Sequence, residues 1–218
     1  KIQTCYKALK ETSGAIAFSD MLIIDGEGKK IAGSMTKVRK HHKFYSGAGL
    51  AKVLLFSNFV TGCTILIKTA KAKAAVPFCP YMVHDHWLAL YCSVESELVF
   101  IQKPLLNYRI HENNQTLMMA GVFDKSSYLR IRIEEAFEKF VWLQEHIGGS
   151  NDLSNTISQA IEWMKARKEH FNTVFKGVAT IWKYRKFSYL TAIFELGAPF
   201  MPERLFMFVI GLKKRNIV

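Results

Sequence analysis

The sequence predicts an α/β fold up to about residue 116, followed by a helical region over residues 117–218. In the first part, short apolar segments with β-branched residues alternate with amphipathic segments, an order typical of alternating strands and helices. In the second part, apolar residues recur at helical spacing among basic and aromatic residues. The chain has 218 residues, of which 50% are hydrophobic, so it is long and apolar enough to bury a sizeable core.

The chain opens with an amphipathic helix predicted over residues 1–12, because its apolar side chains recur three and four residues apart. Gly14 ends this helix. A short apolar strand is predicted over residues 15–18, ending at Ser19-Asp20, and residues 21–24 continue the apolar character up to the turn. The turn residues at 25–28 separate this strand from a returning segment at 30–34.

The middle of the first part predicts two helices on either side of a strand. A basic, glycine-containing loop at 36–49 precedes a helix at 50–56. A buried strand rich in β-branched residues follows and reaches Ile67. A short Ala- and Lys-rich helix is predicted over residues 68–75, and Pro77 ends it.

The end of the first part predicts one more helix and two short strands. Residues 85–91 indicate a helix with Trp87 on its apolar face. Residues 98–101 indicate a strand, Pro104 marks a turn, and residues 105–108 indicate the second short strand.

The second part predicts helices throughout. One helix is expected over residues 127–147, and a longer one follows with Asp152 or Ser154 as its N-terminal cap. The apolar stretch from Phe187 to the C-terminus is interrupted by charged residues and prolines.

The charge balance indicates an anionic partner. The formal net charge is +12 and the isoelectric point is about 9.6, which favours a nucleic acid, a phosphate-bearing substrate or an acidic membrane face. The excess is concentrated between residues 165 and 186 and is mixed with aromatic residues. The segment 182–187 and the apolar stretch 189–212 predict docking on an anionic bilayer face, with simple packing on the preceding domain as the alternative. No apolar run reaches the ~18 residues of a spanning helix.

The cysteines predict a reduced protein. Four of them are widely spaced, and no pair has zinc-ligand or redox spacing. We expect mostly buried, reduced thiols, which are typical of a cytoplasmic protein. A peripheral position at the inner face of the cell membrane stays open.

The run His84-Asp85-His86-Trp87 predicts either a helix cap or a catalytic group. A carboxylate at a helix start is a good N-cap. Beside two imidazoles and an indole, it is also a candidate general base for a hydroxyl nucleophile. A three-ligand metal site within this run is disfavoured, because alternation separates the two imidazoles from Asp85.

A second polar run, from Tyr108 to Asn114, follows a short apolar strand. Arg109 and His111 point the same way on an extended backbone. His111 suits a divalent metal that carries a diphosphate, and Arg109 suits the phosphates themselves; a surface histidine beside a loop is the alternative.

Three further positions are candidates for contact with a metal or a ligand. Asp20 and Asp25 are too far apart to chelate one ion in the Asp-X-Asp manner, so strand-end and turn roles are favoured over a Mg²⁺ site. Gly62 predicts a close approach of backbone to a ligand, with packing an equal alternative.

Five motifs in order resemble bacterial family 2 glycosyltransferases, especially the rhamnosyltransferase-like group that builds surface polysaccharides. The resemblance covers residues 1–116 and rests on five short segments. They are Phe18-Ser19-Asp20, Ile24-Asp25-X-X-Gly28, Gly62 before an apolar strand, His84-Asp85-X-Trp87, and Pro104-Leu105-X-Asn107-Tyr108-Arg109-X-His111-X-Asn113-Asn114.

The resemblance implies a partial GT-A-type, Rossmann-like domain that binds a nucleoside-diphosphate sugar and a divalent metal, Mg²⁺ or Mn²⁺. It implies that Asp85 is the general base of an inverting transfer to a glycan or lipid-linked acceptor. The other implied roles are a metal ligand (His111), donor and phosphate contacts (Gly62, Arg109, Asn113 and Asn114) and acceptor-side contacts (His84 and Trp87).

The chain departs from the family pattern at its start. The nucleotide-binding half and its Asp-X-Asp motif are expected before Lys1, so residues 1–116 are interpreted as the acceptor half of a longer enzyme, inactive alone. A basic nucleic-acid- or membrane-binding module without enzymatic activity is the alternative. A metal-dependent hydrolase using His84, Asp85 and His111 is a third reading, and it lacks a further set of ligands.

Overall fold

The computed structural model describes residues 1–39, 42–111, 121–147 and 149–215, with the side chains described up to residue 212. The chain divides into two compact units, Lys1–Gln115 and Thr116–Ile217. The first is a mixed α/β unit built on a small open sheet, and the described part of the second is helical. The roles predicted for the two parts of the chain stay predictions.

The sheet of the first unit is organised around its first strand. Its members are β1 (Ile16–Ile24), β2 (Lys30–Ala32), β3 (Leu66–Ile67) and β4 (Leu98–Arg109). β4 runs parallel to β1 over the whole length of β1, whereas β2 and β3 are antiparallel to it. β1 is buried almost throughout, as its continuous apolar run predicts for a strand covered on both faces.

The register places β2 and β3 on one edge of β1 and β4 on the other. Ile16 pairs with Ile67 of β3 and also with Leu98 of β4, so these two strands flank it. Near the other end, Ile23 pairs with β2 and β4 in the same way.

Short helices surround this sheet. They are α1 (Ile2–Lys10), α2 (Met35–Val38), α3 (Ala51–Phe56), α4 (Thr69–Ala74) and α5 (His84–Glu95). α1 packs Cys5 and Leu9 against Ala17 of β1, which is the apolar face that its spacing predicted. A 3₁₀ turn, Gly62–Thr64, leads into β3 and packs beside β1.

The described part of the second unit consists of helices joined by short segments. They are α6 (Lys125–Leu129), α7 (Glu135–His146), α8 (Asn151–Asn172), α9 (Val178–Lys183), α10 (Tyr189–Gly197) and α11 (Glu203–Arg215). One π-helical turn, Arg130–Glu134, links α6 to α7. Tyr128, Ala198 and Phe206 are fully buried in one of its apolar clusters.

A buried ion pair lies inside this unit. Glu195 of α10 accepts hydrogen bonds from Arg167 of α8 and from the Tyr128 hydroxyl of α6, which is 2.7 Å away. Burial lowers the pKa of Arg167, but the charge and hydrogen bonds of Glu195 outweigh it, so this pKa lies above its ordinary value. Burial and then the charge of Glu195 raise the pKa of Tyr128 well above its ordinary value.

Several sequence predictions are wrong in detail. Pro104 does not end a strand: β4 is continuous, and Pro104 sits opposite Asp20 at a register shift, where an edge strand tolerates a missing N–H. Ser150, rather than Asp152 or Ser154, caps α8, because its hydroxyl accepts from the Leu153 N–H.

Other differences concern the length of a strand, an additional helix and the environment of a basic residue. The strand predicted to reach Ile67 contains only two residues, because the 3₁₀ turn occupies the positions before it. α2 forms inside the segment predicted as a loop at 36–49, and the Ser34 side chain caps it. Arg167 belongs to the ion pair and not to an exposed basic surface.

Two further predictions concern the burial of the thiols and helices that could span a membrane. Cys5, Cys79 and Cys92 are buried and Cys63 is exposed, and none of the four forms a disulfide, so mostly buried thiols are confirmed. Burial raises the pKa of Cys92 to about 11. Within the described ranges, no helix combines the length and the apolar character needed to cross a bilayer.

Candidate active site

Asp85 lies in the first turn of α5, where an acidic side chain meets the positive end of the helix. The N-cap position itself is Val83, whose side chain makes no capping bond. The cap role considered for Asp85 is therefore wrong in its strict form. Its carboxylate is half-buried and directed to groups from outside the helix.

Three donors hold this carboxylate. The Gly62 N–H donates to Oδ2 at 2.8 Å, and the Asn58 side-chain amide donates to Oδ1 at 3.2 Å. The N–H of His86 also donates to Oδ1, at 2.7 Å. A carboxylate offers about four acceptor positions, so the described donors leave one on Oδ2.

Asn58 is a site residue that the sequence reasoning missed. It was interpreted only as part of a turn. Its Oδ1 accepts from the Val60 N–H at 3.0 Å, which leaves the amide NH₂ group directed to Asp85. Because 27 residues separate the two in sequence, no local pattern connects them.

Gly62 belongs to the same cluster. A Cβ atom at this position would lie 2.7 Å from Nε2 of His84 and 3.5 Å from Cβ of Asp85. Gly62 therefore packs closely against the exposed His84 ring and the Asp85 side chain, which is the packing alternative, and its approach to a ligand stays a prediction. The donor-sugar contact predicted for Gly62 stays a prediction.

Two side-chain contacts hold α5, the helix that carries Asp85, in place. The Trp87 indole is buried and donates to the carbonyl of Ala75 at 2.7 Å. Nε2 of His86 lies 2.6 Å from the carbonyl oxygen of Leu54 in α3, which packs against α5. Trp87 thus supports the site from the core, and its acceptor-side role stays a prediction.

Arg109 lies at the end of β4, beside Ile24 at the end of β1. Its guanidinium donates to the carbonyl oxygens of Asp25 and Gly26 at 2.9 and 2.5 Å. His111 is exposed just beyond β4. Since β1 and β4 are parallel, their carboxyl ends meet at one edge, where α/β proteins commonly bind ligands.

The structure therefore brings some predicted residues together and leaves others apart. Asp85, Gly62 and His84 form one cluster. Arg109 belongs to β4, on the edge of β1 opposite to β3. The predicted positions Asn113 and Asn114 lie outside the described residues.

The turn role favoured for Asp25 is confirmed, whereas the strand-end role favoured for Asp20 is wrong, because Asp20 lies within β1 and the strand continues past it to Ile24. Oδ1 of Asp20 accepts from the N–H groups of Met21 and Met35, which joins β1 to α2. Oδ1 of Asp25 accepts from Glu27 and Lys29 within the turn between β1 and β2.

The half-buried His42 lies within reach of the charges of Arg39 and Asp20. Burial, and then the charge of Arg39, lower the pKa of His42, while the charge of Asp20 opposes them.

The described side chains contain no group of three His, Cys, Asp or Glu residues arranged to hold a metal ion. His111 is chemically suitable as one ligand. Such a metal would need further ligands from outside the described residues, so the metal prediction stays open.

Comparison with known proteins adds no relative. The chain matched no model of a known protein family, no curated protein and no solved structure. The functional assignment therefore rests on the residues of the site and on the resemblance of the motifs.

Proposed function

We propose that the first unit is the acceptor half of an inverting glycosyltransferase with a GT-A-type domain, and that Asp85 is its general base. The observation that carries this proposal is the Asp85 carboxylate. It is half-buried and oriented by Gly62, Asn58 and His86, and one acceptor position stays available on Oδ2. The order of the five motifs supports the choice of reaction.

The proposed step is a displacement at the anomeric carbon of a nucleoside-diphosphate sugar. The acceptor hydroxyl transfers its proton to Asp85 while its oxygen forms the new bond to that carbon. The bond from the carbon to the diphosphate breaks, and the diphosphate leaves with the electron pair. A divalent metal would supply positive charge to this leaving group.

In this proposal, the fixed orientation of Asp85 contributes to the rate of transfer. A base held by backbone and amide donors keeps its remaining lone pair aimed at one position, which lowers the entropic cost of reaching the transition state. His84 is exposed beside Gly62. In this proposal it contacts the glycan or lipid-linked acceptor.

The test is Asp85→Asn in the full-length protein. We expect release of nucleoside diphosphate from a panel of nucleotide-sugars to fall by about 10²–10⁴ with the fold retained, because the amide no longer accepts the proton. Transfer at near the wild-type rate would contradict the assignment.

The matched control is Asp152→Asn, since Asp152 also lies in the first turn of a helix. Its transfer rate is expected to equal that of the wild type, and thermal melts followed by circular dichroism check folding of both variants. Salt-dependent binding of a random oligonucleotide, without any transfer, would favour the nucleic-acid-binding alternative.

A further inference from the structure

The second unit exposes large apolar side chains next to basic ones where α9 leads into α10. Leu190 is 74% exposed, Tyr189 55% and Trp182 45%. We call this surface, which consists of six residues, the basic-aromatic patch. They are Trp182, Lys183, Lys186, Tyr189, Leu190 and Ile193.

The patch is continuous across the turn that joins the two helices. The rings of Trp182 and Tyr189 are 6.4 Å apart. On α10, Leu190 and Ile193 are three residues apart and therefore share a face. Ala192 and Glu195 of the same helix are buried, so the helix presents one face to the unit and the other outward.

Positive charge borders the apolar residues. The Arg185 guanidinium stacks 4.6 Å from the centre of the Trp182 ring. Lys183 and Lys186 are exposed; the Lys183 ammonium lies 4.0 Å from the exposed Glu162 carboxylate, and Lys186 donates to the Gln159 side chain at 3.0 Å. Between residues 176 and 215 the sequence has eight Lys and Arg residues and two acidic ones. One of those two, Glu195, is buried in the ion pair with Arg167, so it does not offset the surface charge.

The composition of the patch distinguishes between possible partners. Lysine is depleted from protein–protein interfaces, whereas surface-lying membrane segments combine lysine with Trp and Leu. Single-stranded nucleic acids stack on aromatic rings, which leaves exposed aliphatic side chains such as Leu190 and Ile193 without a role. Charge and apolar content together therefore favour an anionic lipid surface.

We propose that the basic-aromatic patch docks the second unit onto an anionic lipid bilayer. Leu190 and Ile193 enter the boundary of the acyl chains, Trp182 and Tyr189 lie at the level of the headgroups, and Lys183 and Lys186 bind lipid phosphates. Docking of this kind places a protein at the membrane surface without crossing it. The proposal does not depend on the glycosyltransferase assignment.

The first test is co-sedimentation of the chain with vesicles of phosphatidylcholine alone or mixed with phosphatidylglycerol. The wild type is expected to bind the anionic vesicles. Leu190→Ser/Ile193→Ser is expected to weaken this binding at least about tenfold, because two apolar side chains no longer leave water. Wild-type binding by this variant, or equal binding of the wild type to both vesicle types, would overturn the proposal.

The second test removes charge. Lys183→Gln/Lys186→Gln is expected to lower binding to anionic vesicles by about fivefold per lysine and to leave binding to neutral vesicles unchanged. Lys37→Gln/Lys43→Gln, two exposed lysines of the first unit, is the matched control. An equal loss in both variants would show a general charge effect and would contradict a specific patch.

The matched apolar control is Leu205→Ser/Phe208→Ser on α11, where both side chains are about half-exposed or more. It is expected to bind like the wild type. A loss in this control equal to or larger than the loss in the patch variant would overturn the assignment to the patch. A wild-type dimer that Leu190→Ser/Ile193→Ser converts to monomer without vesicles would identify a second copy as the partner instead.

Trp182 offers a readout that does not require the double variants to fold. Its fluorescence is expected to shift to shorter wavelength with anionic vesicles, and Trp182→Phe is expected to lose that shift. An unchanged shift in Trp182→Phe would contradict insertion at this position.

Discussion

Asp85 and Glu195 are two carboxylates that the protein treats in opposite ways. Asp85 is half-buried, and the donors described for it are a backbone amide from Gly62, its neighbour's N–H, and the Asn58 side chain. Glu195 is fully buried and is held by a cation, Arg167, together with the Tyr128 hydroxyl.

The difference separates a group prepared for chemistry from a group that joins helices. Neutral donors orient Asp85 and leave an acceptor position for a proton. A buried charge, by contrast, is tolerated only when another charge and further hydrogen bonds compensate it. Glu195 therefore connects α6, α8 and α10, while Asp85 remains accessible to a ligand.

The largest effect on stability is expected when the buried pair is broken. Glu195→Ala leaves Arg167 charged and buried, so the free energy of unfolding should fall by about 3–5 kcal/mol in urea denaturation. Glu135→Ala removes an exposed ion pair with Arg130 and should cost less than about 1 kcal/mol. A loss below about 1 kcal/mol for Glu195→Ala would mean that the pair does not stabilise the unit.

A double variant sharpens this result. Arg167→Met/Glu195→Leu removes both charges, so its stability should lie well above that of Glu195→Ala. If the double variant is as unstable as the single one, the loss comes from packing and not from an uncompensated charge.

The second effect is a dependence on alkaline pH. The pKa of Tyr128 is raised in the folded protein, so above about pH 10 the unfolded chain loses this proton first and stability falls. The expected slope for this tyrosine is about 1.4 kcal/mol per pH unit. Arg167 does not titrate in this range, because its pKa is also raised.

Tyr128→Phe provides the measurement. Between pH 9 and pH 11, the free energy of unfolding of the wild type should fall by about 1.4 kcal/mol more than that of Tyr128→Phe, because only the wild type has the hydroxyl that titrates. Parallel stability curves for the two proteins would rule out this linkage.

The third effect concerns the orientation of Asp85. Asn58→Ala removes the donor to Oδ1 and the acceptor for Val60, and it should lower stability by about 1–2 kcal/mol. If Asp85 is the base, the transfer rate should also fall, but less than in Asp85→Asn, because Gly62 still holds Oδ2. A rate loss as large as that of Asp85→Asn would assign Asn58 a direct role.

The smallest effect on stability is expected at Gly62. Gly62→Ala meets the end of the exposed His84 ring, which can turn aside, so the cost should stay below about 1 kcal/mol. Gly177→Ala is the contrasting variant, because there φ is +80° and the new Cβ would lie 2.4 Å from the carbonyl oxygen of Ala166. We expect on the order of 3 kcal/mol for it, and thermal melts compare the two.

Local features of the fold were largely predictable. The face of α1 that packs on β1 and the buried character of β1 follow from apolar spacing. The continuity of β4 through Pro104 was not predictable, because a proline signals a turn unless the strand is known to lie at an edge.

The candidate site was predictable only in part. Asp85 was recognised because a carboxylate between imidazoles and an indole at a helix start is unusual. Its partner Asn58 was not, and Arg167 counted only as one of the basic residues between 165 and 186, although it pairs with Glu195, 28 residues away. A lone acid in the apolar segment around Glu195 was the available signal for a buried pair.

The sequence by itself determined the succession of an α/β unit and a helical unit, the position of Asp85 at a helix start, and the basic and aromatic character of the second unit. Only the tertiary structure decided which donors meet each carboxylate and which charges stay exposed. The physical reason is range: periodicity and capping act over a few residues. The contacts of Asp85 and Glu195, by contrast, join residues 23 to 67 positions apart.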